Sequence, residues 1–385
     1  MVHSSTSLIL QSIQSQKRAS DLVLMKPRLP LPPPTDLRES EKLFSTISRA
    51  FTFITPGSIS RVNDALDFGG SLNFGCHYIA RKQVDLGIPL LEKGFRSLED
   101  TLRYNRDYAI IQIVYALYFC LLENQIDLYR LLSRHFYELS RVMFGFTHPI
   151  TAMTSMLSSV DNSILYKSGK KMFYRAFELL YEDAVKMYGV HENVVAIEAL
   201  FRAVLASSEN SGRGGENTYI WNNQLIEQAQ ALSNPSHYIA SKRIYSLYLR
   251  GRGDHQESRA VLEELYDLLP ELPNLSLKAQ SAIIRACTRL GHEYKGLAEA
   301  SVNISDPLPQ SYLVRSREIF EITADAALQV LGPQHADTVQ TVWSLAEFND
   351  QHGAILKAQA EKEFVFNQLK EFKLSSEDKG QIDSR

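Results

Sequence analysis

Apolar residues recur along most of the chain at the i, i+3, i+4, i+7 spacing of one helix face. Tyr129, Leu132, His135, Phe136, Leu139, Val142 and Met143 follow it, and so do Val261, Leu262, Leu265, Leu268 and Leu269. No run alternates apolar and polar residues as a half-buried strand would. The breaks are short and carry turn residues: Gly145, Gly189, Gly251-Arg252-Gly253, Gly291, Gly332 and Gly353. Two breaks are longer, a polar stretch at 207–217 and a segment with two prolines at 305–310. Short turns between apolar-faced helices predict antiparallel helix hairpins. The longest stretch free of Asp, Glu, Lys, Arg and His, 108–122, is fifteen residues. As a helix it spans roughly 22 Å, too short for a hydrocarbon core of about 30 Å, so it reads as a central buried helix.

The first helices of successive hairpins are expected to start near Arg106, His148, His191, Pro235 and Leu277, at steps of 42, 43, 44 and 42 residues. The next start, His335, comes 58 residues later, the excess absorbed by the proline-containing insertion. A period in the low forties with two helices per unit is an α-solenoid signature, because one hairpin cannot cover its own apolar face and stacked hairpins can. The expected fold is therefore all-α, a right-handed α-solenoid of antiparallel helix hairpins spanning 37–373. Residues 1–36 read as a flexible arm, with five prolines between Pro27 and Pro34 favouring polyproline II, and 374–385 as a polar tail.

Three junctions share a pattern: Phe144-Gly145-Phe146-Thr147-His148-Pro149, Tyr188-Gly189-Val190-His191-Glu192-Asn193 and Leu331-Gly332-Pro333-Gln334-His335-Ala336. A glycine ends one helix in a conformation free of Cβ strain, and the next helix starts where orphan N–H groups need a cap. Gly332, His335, Asp337, Thr338, Leu345, Ala346, Gly353 and Ala358 together resemble a tetratricopeptide repeat of the kinesin-light-chain type. Residues 238–270 resemble another such unit, with Gly253, Ser258, Leu262 and Pro270 at that family's spacings. This resemblance implies a superhelix with its first helices on a concave groove. Residues 119–157, centred on the Phe144 to Pro149 junction, are also similar to the helical C-terminal regions of fungal cryptic-loci-regulator-type proteins. The Trp-containing helices of that family's small DNA-binding domain have no counterpart in the arm. What the second resemblance implies is a nuclear regulatory role exerted through a partner.

Composition is ordinary for a globular protein, 44% hydrophobic and 22% charged, with a net charge of −3. A balance this near neutral argues against a surface devoted to nucleic acid or membrane. Lys167, Lys170, Lys171 and Arg175, beside Tyr166 and Tyr174, form a small basic cluster that reads as a solvated helix face. Cys76, Cys120 and Cys287 are sparse, odd in number and set in apolar segments, which predicts reduced thiols in an intracellular protein, cytoplasmic or nuclear. An alternative is mitochondrial import, since the first seventeen residues lack acids and include Ser4, Ser5, Ser7, Ser12 and Ser15.

No pattern of catalytic chemistry emerges. His191-Glu192-Asn193-Val194-Val195 lacks the second histidine of a zinc-protease helix, and the cysteines have no metal spacing. Gly251-Arg252-Gly253-Asp254-His255-Gln256 breaks the dinucleotide fingerprint, and Gly212-Arg213-Gly214-Gly215 lacks the Lys-Ser/Thr of a phosphate loop. Neither an enzyme nor a cofactor is expected. His148, His191 and His335 read as helix-end residues that bond backbone groups.

What remains is surface. Carried over from the tetratricopeptide register, Ala240, Arg243, Leu247 and Arg250 would line the groove in one unit, and Gln340, Trp343, Glu347, Asp350 and Gln351 in the last. Trp343 stands as an aromatic anchor flanked by acids, or packs on the neighbouring unit. The expected function is a non-catalytic protein–protein interaction scaffold that holds a peptide or protein partner in the groove. The alternatives are a fungal nuclear regulator acting through a partner and an enzyme with a pocket between helices.

Overall fold

The computed structural model describes residues 34–52, 62–104, 106–188, 235–301 and 308–382. Its secondary structure is helical throughout these residues: α1 (Pro34–Thr52), α2 (Val62–Ala80), α3 (Val84–Tyr104), α4 (Arg106–Leu122), α5 (Ile126–Phe144), α6 (Pro149–Ser159), α7 (Asn162–Tyr188), α8 (Pro235–Arg252), α9 (His255–Tyr266), a 3₁₀ turn (Leu269–Asn274), α10 (Leu277–Ala300), α11 (Leu308–Val330), α12 (Ala336–Gln351) and α13 (Ile355–Ile382). The junction at His191, the loops at 207–217 and 305–307, and the proline-rich stretch before Pro34 lie outside the described residues. Helices start where expected at Arg106, Pro149, Pro235, Leu277 and Ala336. The segment at 374–382, expected as tail, continues α13.

Four turns are built alike. Lys82, Asn124, Gly253 and Gly353 take positive φ after α2, α4, α8 and α12. In each, the next residue's N–H donates to the carbonyl five positions back: Gln83 to Tyr78, Gln125 to Cys120, Asp254 to Leu249 and Ala354 to Asn349, at 2.7–2.9 Å. This closure satisfies the last carbonyls of the first helix and turns the chain sharply into the second.

Two junctions between hairpins share a different design. Gly145 and Gly332 have φ of 82° and 83°. His148 and His335 then act as N-caps: Ile150 and Asp337 donate their backbone N–H to the respective Nδ1 at 3.2 Å. Three residues after each histidine, Thr151 and Thr338 donate to the carbonyls of Ser140 and Ala327 on the preceding helix. The cap is an imidazole rather than a short side chain.

Gly291, expected as a break, lies inside α10. A Cβ there would sit 2.8 Å from the Phe320 ring, and its carbonyl accepts from Ser316 Oγ at 2.8 Å. Its role is close approach of α11, not a turn.

Helix α4 is buried around its whole circumference, with Ile110, Ile111, Val114, Leu117 and Tyr118 fully covered, which explains why its sequence shows no polar face. No helix of the described residues is long and apolar enough to cross a membrane.

First helices pack on first helices, α2 on α4, α8 on α10 and α10 on α12. Two features depart from a plain stack. Helix α1 packs against α6 and α7, burying Leu43 and Ile47, with Ser48 Oγ donating to the buried Asp183 carboxylate at 2.5 Å. The last hairpin, α12–α13, seats on α2–α3. A continuous apolar cluster joins them: Tyr78, Leu86 and Leu90 from the early hairpin, with Trp343, Phe348 and Val365 from the last. Lys93 Nζ adds a bond to the Gln334 carbonyl at 2.6 Å. The apolar stripe of the final hairpin is therefore hidden by the beginning of the chain.

Candidate binding face

Helices α2, α4, α8, α10 and α12 direct polar side chains toward one region. From α10 come Arg289, His292 and Glu293. The Glu293 carboxylate lies 3.3 Å from Arg289 Nε and 3.2 Å from Arg250 Nη1 of α8, so one acid serves two guanidinium groups. His292 Nε2 is 3.3 Å from Ser344 Oγ of α12, and its ring stands edge-on to Phe320. At the end of α2, His77 Nδ1 lies 3.6 Å from the carboxylate of Glu123, just past α4. Glu347 of α12 accepts from Trp343 Nε1 at 3.0 Å and from Gln83 Nε2 at 2.9 Å.

The field is uneven. Burial, then Lys295, Arg81, Arg250 and His77, push the His292 imidazole down to about 4, so it is neutral at pH 7. Burial and Arg81 also lower His77, against the pull of Glu123 and Glu347. The Ser344–His292 pair has the two atoms of a nucleophile and a base, but among the described residues no carboxylate lies within ion-pair distance of this imidazole to orient it. No group of three metal-ligating side chains occurs among the described residues either.

The residues named from sequence divide. Arg250 and Glu347 belong to this region. Arg243 is half-buried and engaged, and Gln340 is half-buried on α12. Leu247 packs on the core cluster of the first helices, and Ala240 is buried in that of α8 to α11. Trp343 is only 8% exposed, its indole meeting Tyr78 and Phe366 edge-on. It packs on the neighbouring hairpin instead of standing free. Asp350 is exposed and bonds Lys362 of α13 at 2.7 Å, and Gln351 is exposed beside it. Sequence reasoning missed Arg81, His77, Arg289, His292 and Ser344. Extending the same register to α10 brings up Arg289, His292 and Glu293; Arg81 carries no signal apart from the neighbours the fold gives it.

On α7, Arg175 is spent on Glu178 and Glu182, while Lys167 and Lys171 are exposed beside Tyr166. No family model matches the chain, and no curated protein matches it.

Proposed function

We propose that the protein is a non-catalytic intracellular scaffold. Its hairpins form a right-handed, tetratricopeptide-like superhelix whose first helices offer a groove to a peptide or protein partner. The observation that carries this reading is the convergence of Arg250, Arg289, His292, Glu293, Ser344 and Glu347 from three successive first helices onto one polar region. The twice-built Gly-x-x-His junction and the four like turns supply the regularity such a superhelix needs. Charged side chains on rigid helices, ordered before the partner arrives, lower the entropy cost of capture.

The test is affinity capture with the full chain and with an Arg250→Ala, Gln340→Ala variant, identifying the retained proteins by mass spectrometry. Loss of a specific partner with an unchanged thermal midpoint supports the reading. Retention of every partner by the variant, or a strong thermal shift from a small metabolite instead, sinks it.

A further inference from the structure

We propose that Cys76 and Cys120 form a covalent modification site, a reversible disulfide that clamps α2 to α4, with a small disulfide such as oxidised glutathione as the oxidant.

The two thiols belong to helices held close along their length. Gly69 of α2 meets α4 so tightly that a Cβ there would sit 2.6 Å from Gln112 Oε1. Two turns further along each helix, Cys120 Sγ lies 3.8 Å from Cys76 Sγ. His77 and Glu123 meet at 3.6 Å just beyond them. The helices therefore run the same way past each other, and the sulfurs lie between two other contacts that fix the approach. A disulfide holds its sulfurs about 2.0 Å apart, so each sulfur has to move by roughly 0.9 Å, on the scale of side-chain rotation rather than helix movement. In sequence the three cysteines look alike, and these two stand 44 residues apart. The fold separates them from Cys287, which is buried in the cluster of α8 to α11 and serves as an internal control.

The reaction is thiol–disulfide exchange in two steps. One cysteine loses its proton and attacks a sulfur of the small disulfide, whose other half leaves as a thiolate and takes up a proton. The second cysteine, deprotonated in turn, attacks the mixed disulfide and expels the other small thiol. Two S–H bonds and one S–S bond break, and one S–S bond and two S–H bonds form. The cysteines are oxidised and the small disulfide is reduced. Contact between the sulfurs gives one thiol a high effective concentration toward the other, which favours closure once the mixed disulfide exists. Burial governs the rate. Both side chains are covered, and burial, with Cys76 alongside, holds the Cys120 thiol well above the ordinary thiol range. Exchange therefore proceeds when the α2–α4 contact opens, and the closed fold shields the finished bond from reductants. In a reducing compartment both thiols stay free, and the site responds as the glutathione pool turns oxidising.

The experiment equilibrates the full chain with oxidised glutathione in urea below the unfolding transition. The protein is then unfolded, capped with N-ethylmaleimide, weighed and digested. The expected product carries one maleimide, on Cys287, instead of three, and yields a peptide linking Cys76 to Cys120. Its rate of formation should rise at least tenfold as urea approaches the transition. The thermal midpoint of the cross-linked form should lie at least about 3 °C above that of the reduced form, because the bond closes a long loop. Cys76→Ser and Cys120→Ser should abolish the link and the shift, and Cys287→Ser should keep both. Alanine replaces serine at any site where the serine variant fails to fold. A parallel sample is refolded from full unfolding in the same buffer, so that access to the thiols is never limiting. Three maleimides in that sample, links from Cys287 as abundant as the Cys76–Cys120 link, or a cross-linked form with an unchanged or lower midpoint overturns the assignment.

Discussion

The indole of Trp343 meets the phenol ring of Tyr78 edge-on, with ring centroids 6.5 Å apart. One ring belongs to the last hairpin of the chain and the other to the α2–α3 hairpin near its start. Phe366 and the Lys362 ammonium close the remaining sides of the indole. Trp343→Ala removes a buried aromatic from this seam, a change that costs about 3–5 kcal/mol when surroundings relax only partly. Chemical denaturation of the variant should show that loss, together with slackened packing of α12–α13. A variant as stable as the parent would mean that the seam contributes little.

Gly291 and Gly296 lie one and a half turns apart in α10 and predict opposite outcomes. Alanine at 291 drives a methyl to 2.8 Å from the Phe320 ring, whereas at 296 nothing lies within 4 Å. Gly291→Ala should destabilise by about 1–3 kcal/mol through overpacking. Gly296→Ala should stabilise by roughly 0.5–1 kcal/mol through helix propensity. Urea midpoints of the two variants measure the contrast directly, and equal shifts would show that Phe320 swings aside at no cost.

The helix starts were legible because local chemistry marks them. Pro149, Pro235 and the histidine three residues after each helix-ending glycine announce an N-terminus wherever they stand. The turns at Lys82 and Asn124 were not legible, since neither uses glycine for its positive φ. Gly291 misled for the complementary reason: a glycine required by a neighbouring ring looks, in sequence, like a glycine required by a turn. The seating of α12–α13 on α2–α3 and of α1 on α6 and α7 leaves no periodic trace, because an apolar stripe does not say which distant stripe covers it. The same limit applied at the binding face. A repeat register placed Arg250 and Glu347 toward it, but only the fold shows that Glu347 is occupied and that His292 sits among cations.

Acid should begin to weaken the fold near pH 6.5, above the ordinary carboxylate range. Burial pushes His135, tilted against the Phe95 ring, down to about 4, and burial with the surrounding cations does the same to His292. Below pH 6.5 the unfolded chain takes up protons at these two imidazoles while the folded chain does not, so stability falls as pH drops from about 6.5 to about 4. The slope is at most about 1.4 kcal/mol per pH unit for each histidine. Urea midpoints at pH 7 and pH 4.5 test this, and His135→Leu with His292→Leu should flatten the difference. An unchanged slope in that double variant would assign the acid sensitivity to other groups.

Asp337 should be the most costly single charge to remove. It lies in the first turn of α12, fully buried, with Arg285 Nε of α10 at 2.6 Å and the Ser281 hydroxyl donating to its other oxygen. The same Arg285 guanidinium stands 5.4 Å from the Phe74 ring of α2, so the pair ties α2, α10 and α12 together. Burial alone would raise the Asp337 carboxyl, but Arg285, His335 and Ser281 outweigh it and hold it below the usual carboxylate range. Its contribution is thus present above about pH 4 and lost as pH falls through the folded value. Asp337→Ala takes its buried carboxylate from the partly buried Arg285 guanidinium and should cost about 3–5 kcal/mol, while Arg285→Met with Asp337→Leu, which removes both charges, should recover most of that loss. Denaturation curves of the single and double variants decide the matter. A single variant losing less than about 1 kcal/mol would show that water reaches Arg285 and that the three helices are held by their apolar seam alone.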